Sequence, residues 1–322
     1  MKKSIAVVCG GFSGESVVSM RSAQMVMNNI DRSLYDPMKV VVTPTRWYAD
    51  YEGSEIDVNR ADFTVSIAGQ TRHFDGVFMI IHGTPGENGI LQGYFELLRI
   101  PTTTGDTLNM ALTFNKKMTT RVLATFGLRV AQSTTLKAME PYSVQSILDI
   151  VSLPCFVKPN CGGSSIGTSR VNAVEDLHRA IDIAFKADDQ IIIEEFIQGD
   201  EVTCGVIQWE GRITALPITQ IISKKEFFDY EAKYQGQSEE ITPAPIDQEL
   251  YRAVQMQAEE IYQKLDCRGM IRVDFIIRGS EIVVIEVNTT PGFSEASIIP
   301  QQAAVQGIDK KSLITAVIQS CY

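Results

Sequence analysis

An α/β chain that becomes partly α+β, laid out as three successive sections, is what the sequence predicts. Three observations predict it. Apolar, β-branched runs alternate with helix-spaced segments through the first section; strands and small-residue loops follow; and near the end two runs of alternating character face each other across "RGSE". Strands alternating with helices build a parallel sheet with covered faces, whereas neighbouring alternating strands build antiparallel hairpins.

The first section, residues 1–105, opens with "SIAVVCGG", a buried strand running into a glycine turn. "SVVSMRSAQMVMNNI" has helical spacing, "DPMKVVVTPT" and "DGVFMIIHG" read as strands, and "GILQGYFELLRI" as a helix. An open parallel α/β unit is expected. In the second section, 106–190, "TLNMALTFNKKMTTRVLATFG" reads as one helix ending at Gly127. "PCFVKPNCGGSSIGTSRV" is a strand, a loop and a strand, and "NAVEDLHRAIDIAFKAD" a helix begun by an Asn cap. The third section, 191–322, starts with two strands around a Gly-Asp turn in "IIIEEFIQGDEVTCGVI". A long polar loop at 223–246, a helix at 247–265, the hairpin "GMIRVDFIIRGSEIVVIEVN" and a C-terminal helix complete it.

Composition narrows the function. The chain has 322 residues, 44% hydrophobic, with a formal charge of −10, so a nucleic-acid surface of clustered Lys and Arg is not expected. After Lys2 and Lys3 the apolar run is too short for an export segment, and no later run approaches the roughly 18–20 residues that span a bilayer. The six cysteines form no C-x-x-C pair and the three histidines lie far apart. That usage fits free thiols in a reducing compartment, not a disulfide frame or a histidine metal site. No membrane partner and a cytoplasmic location are the expectation.

"EIVVIEVNTTPGF", 281–293, carries the first chemical signal. Glu286 and Asn288 sit two apart in an apolar strand and so share a face. A three-residue loop containing Gly279 puts Asp274 opposite Glu286 and Arg272 opposite Asn288, with Val273, Phe275, Ile285 and Val287 on the other face. A two-residue loop would mix the faces, so the polarity pattern favours the longer one. Opposed carboxylates repel. A magnesium ion, which takes hard oxygens from one or two carboxylates plus phosphates, resolves this. The alternative is a solvated polar face on which Arg272 neutralises one acid.

"KPNCGGSSIG", 158–167, offers backbone amides that can fold over phosphate oxygens, with Lys158 adding a charge. It is not a Walker A loop, because the Gly-Lys-Ser/Thr ending is absent. Lys116 in "FNKKMTTR" is a second candidate, and His82 in "HGTPGENG" follows a strand. "CGGFSGES", 9–16, lacks the G-x-G-x-x-G pattern, so a nicotinamide dehydrogenase is poorly supported.

In this order "GGFSGE", "HGTPGENGILQGYFELLRIP", "KPNCGGSSIG", "EEFIQGDEVT", "DYEAKY" and "RVDFI…IEVNTTPGF" resemble the ATP-grasp enzymes, specifically the D-alanine–D-alanine ligases of bacterial cell-wall synthesis. The likeness spans essentially the whole chain. It implies a Rossmann-like amino-terminal domain and two further subdomains clamping ATP. It implies Lys116, Lys158, Ser164 and Ser165 on the phosphates, and Glu194, Phe196 and Ile197 along adenine. Glu201 would meet the ribose, with Phe227 and Ile276 against the base. Asp274, Glu286 and Asn288 would hold two Mg2+ (or Mn2+). Glu15 would hold the first D-alanine's ammonium in a hydrogen-bonded set with Ser164 and Tyr234. His82 would line that pocket, and Ser297 and Ile298 would receive the second D-alanine's carboxylate. Arg272 and the Gly292 amide would serve the developing oxyanion, and Lys233 and Tyr234 would ride on a closing loop. Members are commonly homodimers. A ligase making D-alanyl-D-lactate or D-alanyl-D-serine, or a non-catalytic nucleotide-binding relative, is the rival. Departures from the usual motifs occur at Ser16, Asn88, Thr103 and Asn115; none is a direct ligand, and all bear on how the first substrate is seated.

Overall fold

Buried aliphatic runs form the parallel heart of the first sheet. β1 (Lys3–Gly10) pairs in parallel with β2 (Tyr35–Val42) and with β7 (Gly76–Met79). α1 (Ser16–Asn29) makes the crossover from β1 to β2. The structure, a computed structural model, describes residues 2–223 and 238–322. The sheet is larger than the open parallel unit expected. β3 (Trp47–Tyr51), β4 (Ser54–Asn59), β5 (Thr64–Ile67) and β6 (Gln70–Arg72) extend it in antiparallel fashion, giving seven strands in the order β6-β5-β4-β3-β2-β1-β7. Two of the new turns have two-residue loops, Glu52-Gly53 and Ala68-Gly69, with positive φ at both positions. That is the twist-matched hairpin turn, made here without the Asn-Gly or Asp-Gly pairs that advertise it.

The second sheet holds β8 (Ser133–Lys137), β9 (Cys155–Pro159), β10 (Ser169–Val171) and β11 (Gln190–Glu195) in the order β10-β9-β11-β8. Its apolar face is covered by α6 (Leu177–Phe185), whose Leu177, Ala180, Ile181 and Ala184 pack with Val157, Ile191 and Ile193. A 3-10 turn at Val174–Asp176 precedes that helix, so Asp176 and not Asn172 stands at its N-cap. The single helix expected before Gly127 is two, α3 (Thr107–Phe114) and α4 (Lys116–Thr125). Asn115 breaks it by taking an extended ψ of 100° and accepting from the Met118 amide at 3.0 Å. A short amide side chain competes for local backbone groups in this way.

The third sheet contains β12 (Asp200–Trp209), β13 (Arg212–Ala215), β14 (Thr219–Ser223), β15 (Ser238–Ile241), β16 (Met270–Arg278) and β17 (Glu281–Asn288). β15 lies within the stretch expected to be an uninterrupted loop. α7 (Gln248–Lys264) covers one face. β11 and β12, expected as a pair around a Gly-Asp turn, belong to different sheets. Residues 196–199 are thus a crossing between sheets, and the second sheet runs past residue 190. α5 is Val144–Leu148 and α2 is Ile90–Leu97. The chain ends with α8 (Ile298–Val305) and α9 (Lys310–Gln319). These return to the first unit, where Leu313, Ile314 and Val317 share a core with Ile5, Val7 and Val26.

Candidate active site

The β16–β17 hairpin supplies one wall. Asp274 lies opposite Glu286 and Arg272 opposite Asn288, as the polarity pattern requires. The means differ from expectation. Arg278 pairs with Glu281, so the loop is only Gly279-Ser280, and the register is recovered by a bulge that leaves Ile285 unmatched. One extra residue re-aims the strand beyond it. Ile285 therefore does not join Val273, Phe275 and Val287 in the core; it packs with Ile276 against Ala131, Ile197 and Val283.

The opposed acids are charge-balanced within the chain. Arg272 donates to Asp274 through Nε at 2.8 Å and Nη2 at 2.9 Å, and Lys116 Nζ lies 3.5 Å from Glu286. Asp274 also accepts from Thr203 Oγ1 at 2.6 Å and from Asn288 Nδ2 at 2.9 Å. Repulsion alone thus does not demand a cation, contrary to the sequence argument. Among the described residues, no group of three or more His, Cys, Asp or Glu is gathered as a metal site. What the chain offers is two carboxylates and an amide, a hard oxygen set that fits magnesium when nucleotide phosphates complete the shell.

The second sheet faces this wall with Lys158 on β9. Its Nζ sits 2.6 Å from Glu194 on β11, and both side chains are largely buried. Burial is the largest influence on Lys158 and pushes its pKa down, but Glu194 and Glu286 outweigh it and the net shift is upward. Lys158 is therefore a fixed cation within the field of Glu286. Lys116, brought to the start of α4 by the break at Asn115, donates to Gly162 O at 2.7 Å. Lys116 thus forms an ion pair with Glu286, and Lys158 lies within that carboxylate's field.

Between them runs the glycine–serine loop. Ser164 and Ser165 take φ of 51° and 56°, a left-handed pair costly for residues with a Cβ and typical of functional loops. Ser164 donates to Glu15, which stands at the N-terminus of α1. A Cβ on Gly163 would lie 3.0 and 3.1 Å from the two Glu15 oxygens, so only glycine lets the loop come this close.

Other expected residues gather nearby. His82 is buried, its Nδ1 2.8 Å from Thr290 O. Ser297 precedes α8 and accepts from the Ser294 amide at 2.9 Å, so its hydroxyl does not cap the helix. Ile298 is the first helical residue there. Gly292 faces Ser297, whose Oγ would be 3.1 Å from an added Cβ. Phe196 and Ile197 occupy the sheet-to-sheet crossing, with Phe196 6.0 Å from the Phe156 ring and Ile197 in the Ile276 cluster. Glu201 pairs with Ile276 across β12 and β16. Phe227, Lys233 and Tyr234 lie outside the described residues.

Sequence reading passed over Glu87. Its Oε2 accepts from the Gly83 amide at 2.8 Å. Burial, reinforced by Glu15, pushes its carboxyl up to about 7. Between the ordinary carboxylate value and that one, the folded chain keeps a proton the unfolded chain releases, so this group withdraws stability as pH rises. Glu87→Gln is expected to be stabilising at pH 8 by up to about 2–3 kcal/mol and nearly neutral at pH 4.5, read as the difference in melting temperature. An equal shift at both pH values would exclude it. Thr203 was also missed, although it follows Glu201 at the spacing that shares a strand face. The departures at Asn115, Asn88 and Thr103 are structural: Asn115 caps α4, Asn88 accepts from the Ile90 amide at 3.3 Å, and Thr103 Oγ1 accepts from the Met79 amide at 3.0 Å.

Two antiparallel sheets that bring lysines and a glycine–serine loop against a carboxylate hairpin define the ATP-grasp class. The profile described as D-ala D-ala ligase N-terminus matches residues 4–105, and D-ala D-ala ligase C-terminus matches 122–319. A D-alanine–D-alanine ligase of Christiangramia forsetii is 45% identical, covering 99% of this chain and 98% of its own. One from Phocaeicola vulgatus is 43% identical, covering 99% of each. The VanG D-Ala:D-Ser ligase of Enterococcus faecalis superposes with a TM-score of 0.88 at 32% identity, covering 100% of both chains. A D-alanine–D-alanine ligase of Bacillus anthracis complexed with ATP gives 0.80 at 26% identity, over 99% of this chain and 97% of that one. This chain belongs to the D-alanine–D-alanine ligase family.

Proposed function

We propose that the chain is an ATP-dependent D-alanine–D-alanine ligase supplying peptidoglycan synthesis in the cytoplasm. The observation that carries this is the ion pair of Lys116 with Glu286, a residue of the hairpin that also bears Asp274 and Asn288, beside the buried Lys158–Glu194 pair. Family membership fixes the chemistry that such a site serves.

A carboxylate is a poor electrophile. One oxygen of the first D-alanine's carboxylate bonds to the γ-phosphorus of ATP, the bond to the β-bridging oxygen breaks, and ADP leaves. The amine of the second D-alanine then attacks the acyl carbon, loses a proton, and expels phosphate. Phosphoryl transfer depends on positioning and charge stabilisation. Lys116, Lys158 and the 162–165 loop bind and orient the phosphates. Glu194, Phe196, Ile197, Glu201 and Ile276, with Phe227, hold adenosine. Asp274, Glu286 and Asn288 would hold two Mg2+ (or Mn2+), which supply charge stabilisation on the transferring group. Glu15, Ser164 and Tyr234 seat the first D-alanine beside His82. Ser297 and Ile298 take the second substrate's carboxylate, the open amides at a helix start suiting an anion, and Lys233 is a further substrate-binding residue. Arg272 and the Gly292 amide face the tetrahedral oxyanion. By this reading the chain divides into 1–105, a middle unit and a carboxyl unit, with the sheet-to-sheet crossing at 196–199 as the second boundary and not residue 190. A second copy of the chain is the expected partner in solution.

Incubation with ATP, magnesium and equal D-alanine, D-serine and D-lactate, with products identified by mass, tests the reading. D-alanyl-D-alanine should dominate. A mixed dipeptide as the main product would favour the D-serine activity named for the Enterococcus relative. No phosphate release would mean a nucleotide-binding relative without the reaction.

A further inference from the structure

Pro291 and Gly292 are held between two cross-links to the amino-terminal unit. Before them, Thr290 O lies 2.8 Å from His82 Nδ1; after them, the Phe293 amide donates to Ser22 Oγ at 3.3 Å. The two anchors are themselves joined, Ser22 Oγ to His82 Nε2, at 3.4 Å. Ser22 and Phe293 are fully buried, and Thr290 nearly so.

The chemistry of the partners fixes the direction of every bond. A carbonyl only accepts, so His82 Nδ1 carries the hydrogen. Burial is the main influence on the ring and lowers its pKa, while Thr290 and Glu15 act upward and Arg272 downward. A neutral ring leaves Nε2 as an acceptor. The Ser22 hydroxyl hydrogen then belongs to Nε2, and its lone pairs are left for the Phe293 amide. The relay runs Phe293 N–H to Ser22 O–H to His82, and His82 Nδ1–H to Thr290. It starts and ends on the same short loop, one anchor on each side of Gly292.

From this geometry we infer that Ser22, acting through His82, is a positioning residue that aims the Gly292 amide for the tetrahedral step of ligation. The inference rests on the proposed ligase reading, in which Gly292 serves the oxyanion. Ser22 touches no substrate. Its loss lets the 290–293 loop shift and slows attack on the acyl phosphate, leaving phosphoryl transfer intact.

The test is Ser22→Ala in the full chain, with phosphate and dipeptide measured in one reaction. Apparent ATP affinity should be unchanged, and the phosphate-to-dipeptide ratio should rise several-fold as stalled acyl phosphate is lost to water. Ser22→Cys keeps the volume with a weaker donor and should move the ratio the same way. A ratio unchanged in both variants, whatever the loss of rate, overturns the relay. Nitrogen NMR of the wild-type chain gives an independent reading, since only His73, His82 and His178 contribute. His82 should show the neutral Nδ1–H tautomer at pH 8, and an Nε2–H tautomer would overturn the relay even if neither variant folds. Failure of the ligase reading looks different: the wild-type chain would release no phosphate with D-alanine, whatever the tautomer.

Discussion

Glu286→Ala should leave less than about one-thousandth of wild-type turnover, a loss on the scale of removing a site's main charge-stabilising group. The fold should survive it. Glu286 is partly exposed, its ion pair with Lys116 is a long 3.5 Å, and its cross-strand neighbour Asp274 keeps both bonds from Arg272. Removing one of two opposed carboxylates also relieves repulsion, and the buried Lys158, which loses the field of Glu286, keeps its close pair with Glu194 at 2.6 Å. Melting temperature should therefore change little while steady-state phosphate release with ATP, magnesium and D-alanine disappears. Near-normal release would remove Glu286 from the reaction.

Lys158→Ala is expected to weaken ATP binding and phosphoryl transfer together, but it carries a second effect that must be separated. Lys158 and Glu194 form a close pair at 2.6 Å with side-chain exposures of 14% and 8%. Deleting the cation strands a buried carboxylate, which typically costs about 3–5 kcal/mol. The single variant should be both inactive and markedly less stable. Adding Glu194→Gln neutralises the orphan and should restore most of the melting temperature, while ATP affinity stays below that of Glu194→Gln alone, the reference needed because Glu194 also lies along adenine in the proposed site. If the double variant regains ATP binding along with stability, Lys158 has only a structural role.

The facing pairs of the β16–β17 hairpin were more legible in the sequence than the scaffold around them, for physical reasons. Glu286 and Asn288 could be read because strand alternation is strict and a carboxylate in an apolar run is conspicuous. The same reasoning chose the right facing pairs and the wrong turn, because a bulge at Ile285 does what a longer loop would have done. A bulge has no composition of its own. The antiparallel extension of the first sheet was hidden because Glu52-Gly53 and Ala68-Gly69 are uncommon ways to write a tight hairpin. Asn115 looked like a helix residue because its neighbours have helical spacing, yet its side chain ends one helix and starts another. Phe196 and Ile197 were read beside a hairpin turn at Gly199-Asp200, whereas their segment links two sheets. Glu87 and Ser22 gave no local signal: the carboxylate is raised by burial and by Glu15, and the helix serine bonds His82, both influences from residues distant in the chain.

The last helix shares one apolar interior with the first strand and first helix, with Leu313, Ile314 and Val317 against Ile5, Val7 and Val26. The amino-terminal unit is consequently not a detachable cassette. A chimera that exchanges residues 1–105 with a relative's must carry 298–322 from the same donor, and a fragment lacking the tail would expose aliphatic surface and precipitate. The two ends of the polypeptide are constrained to diverge together.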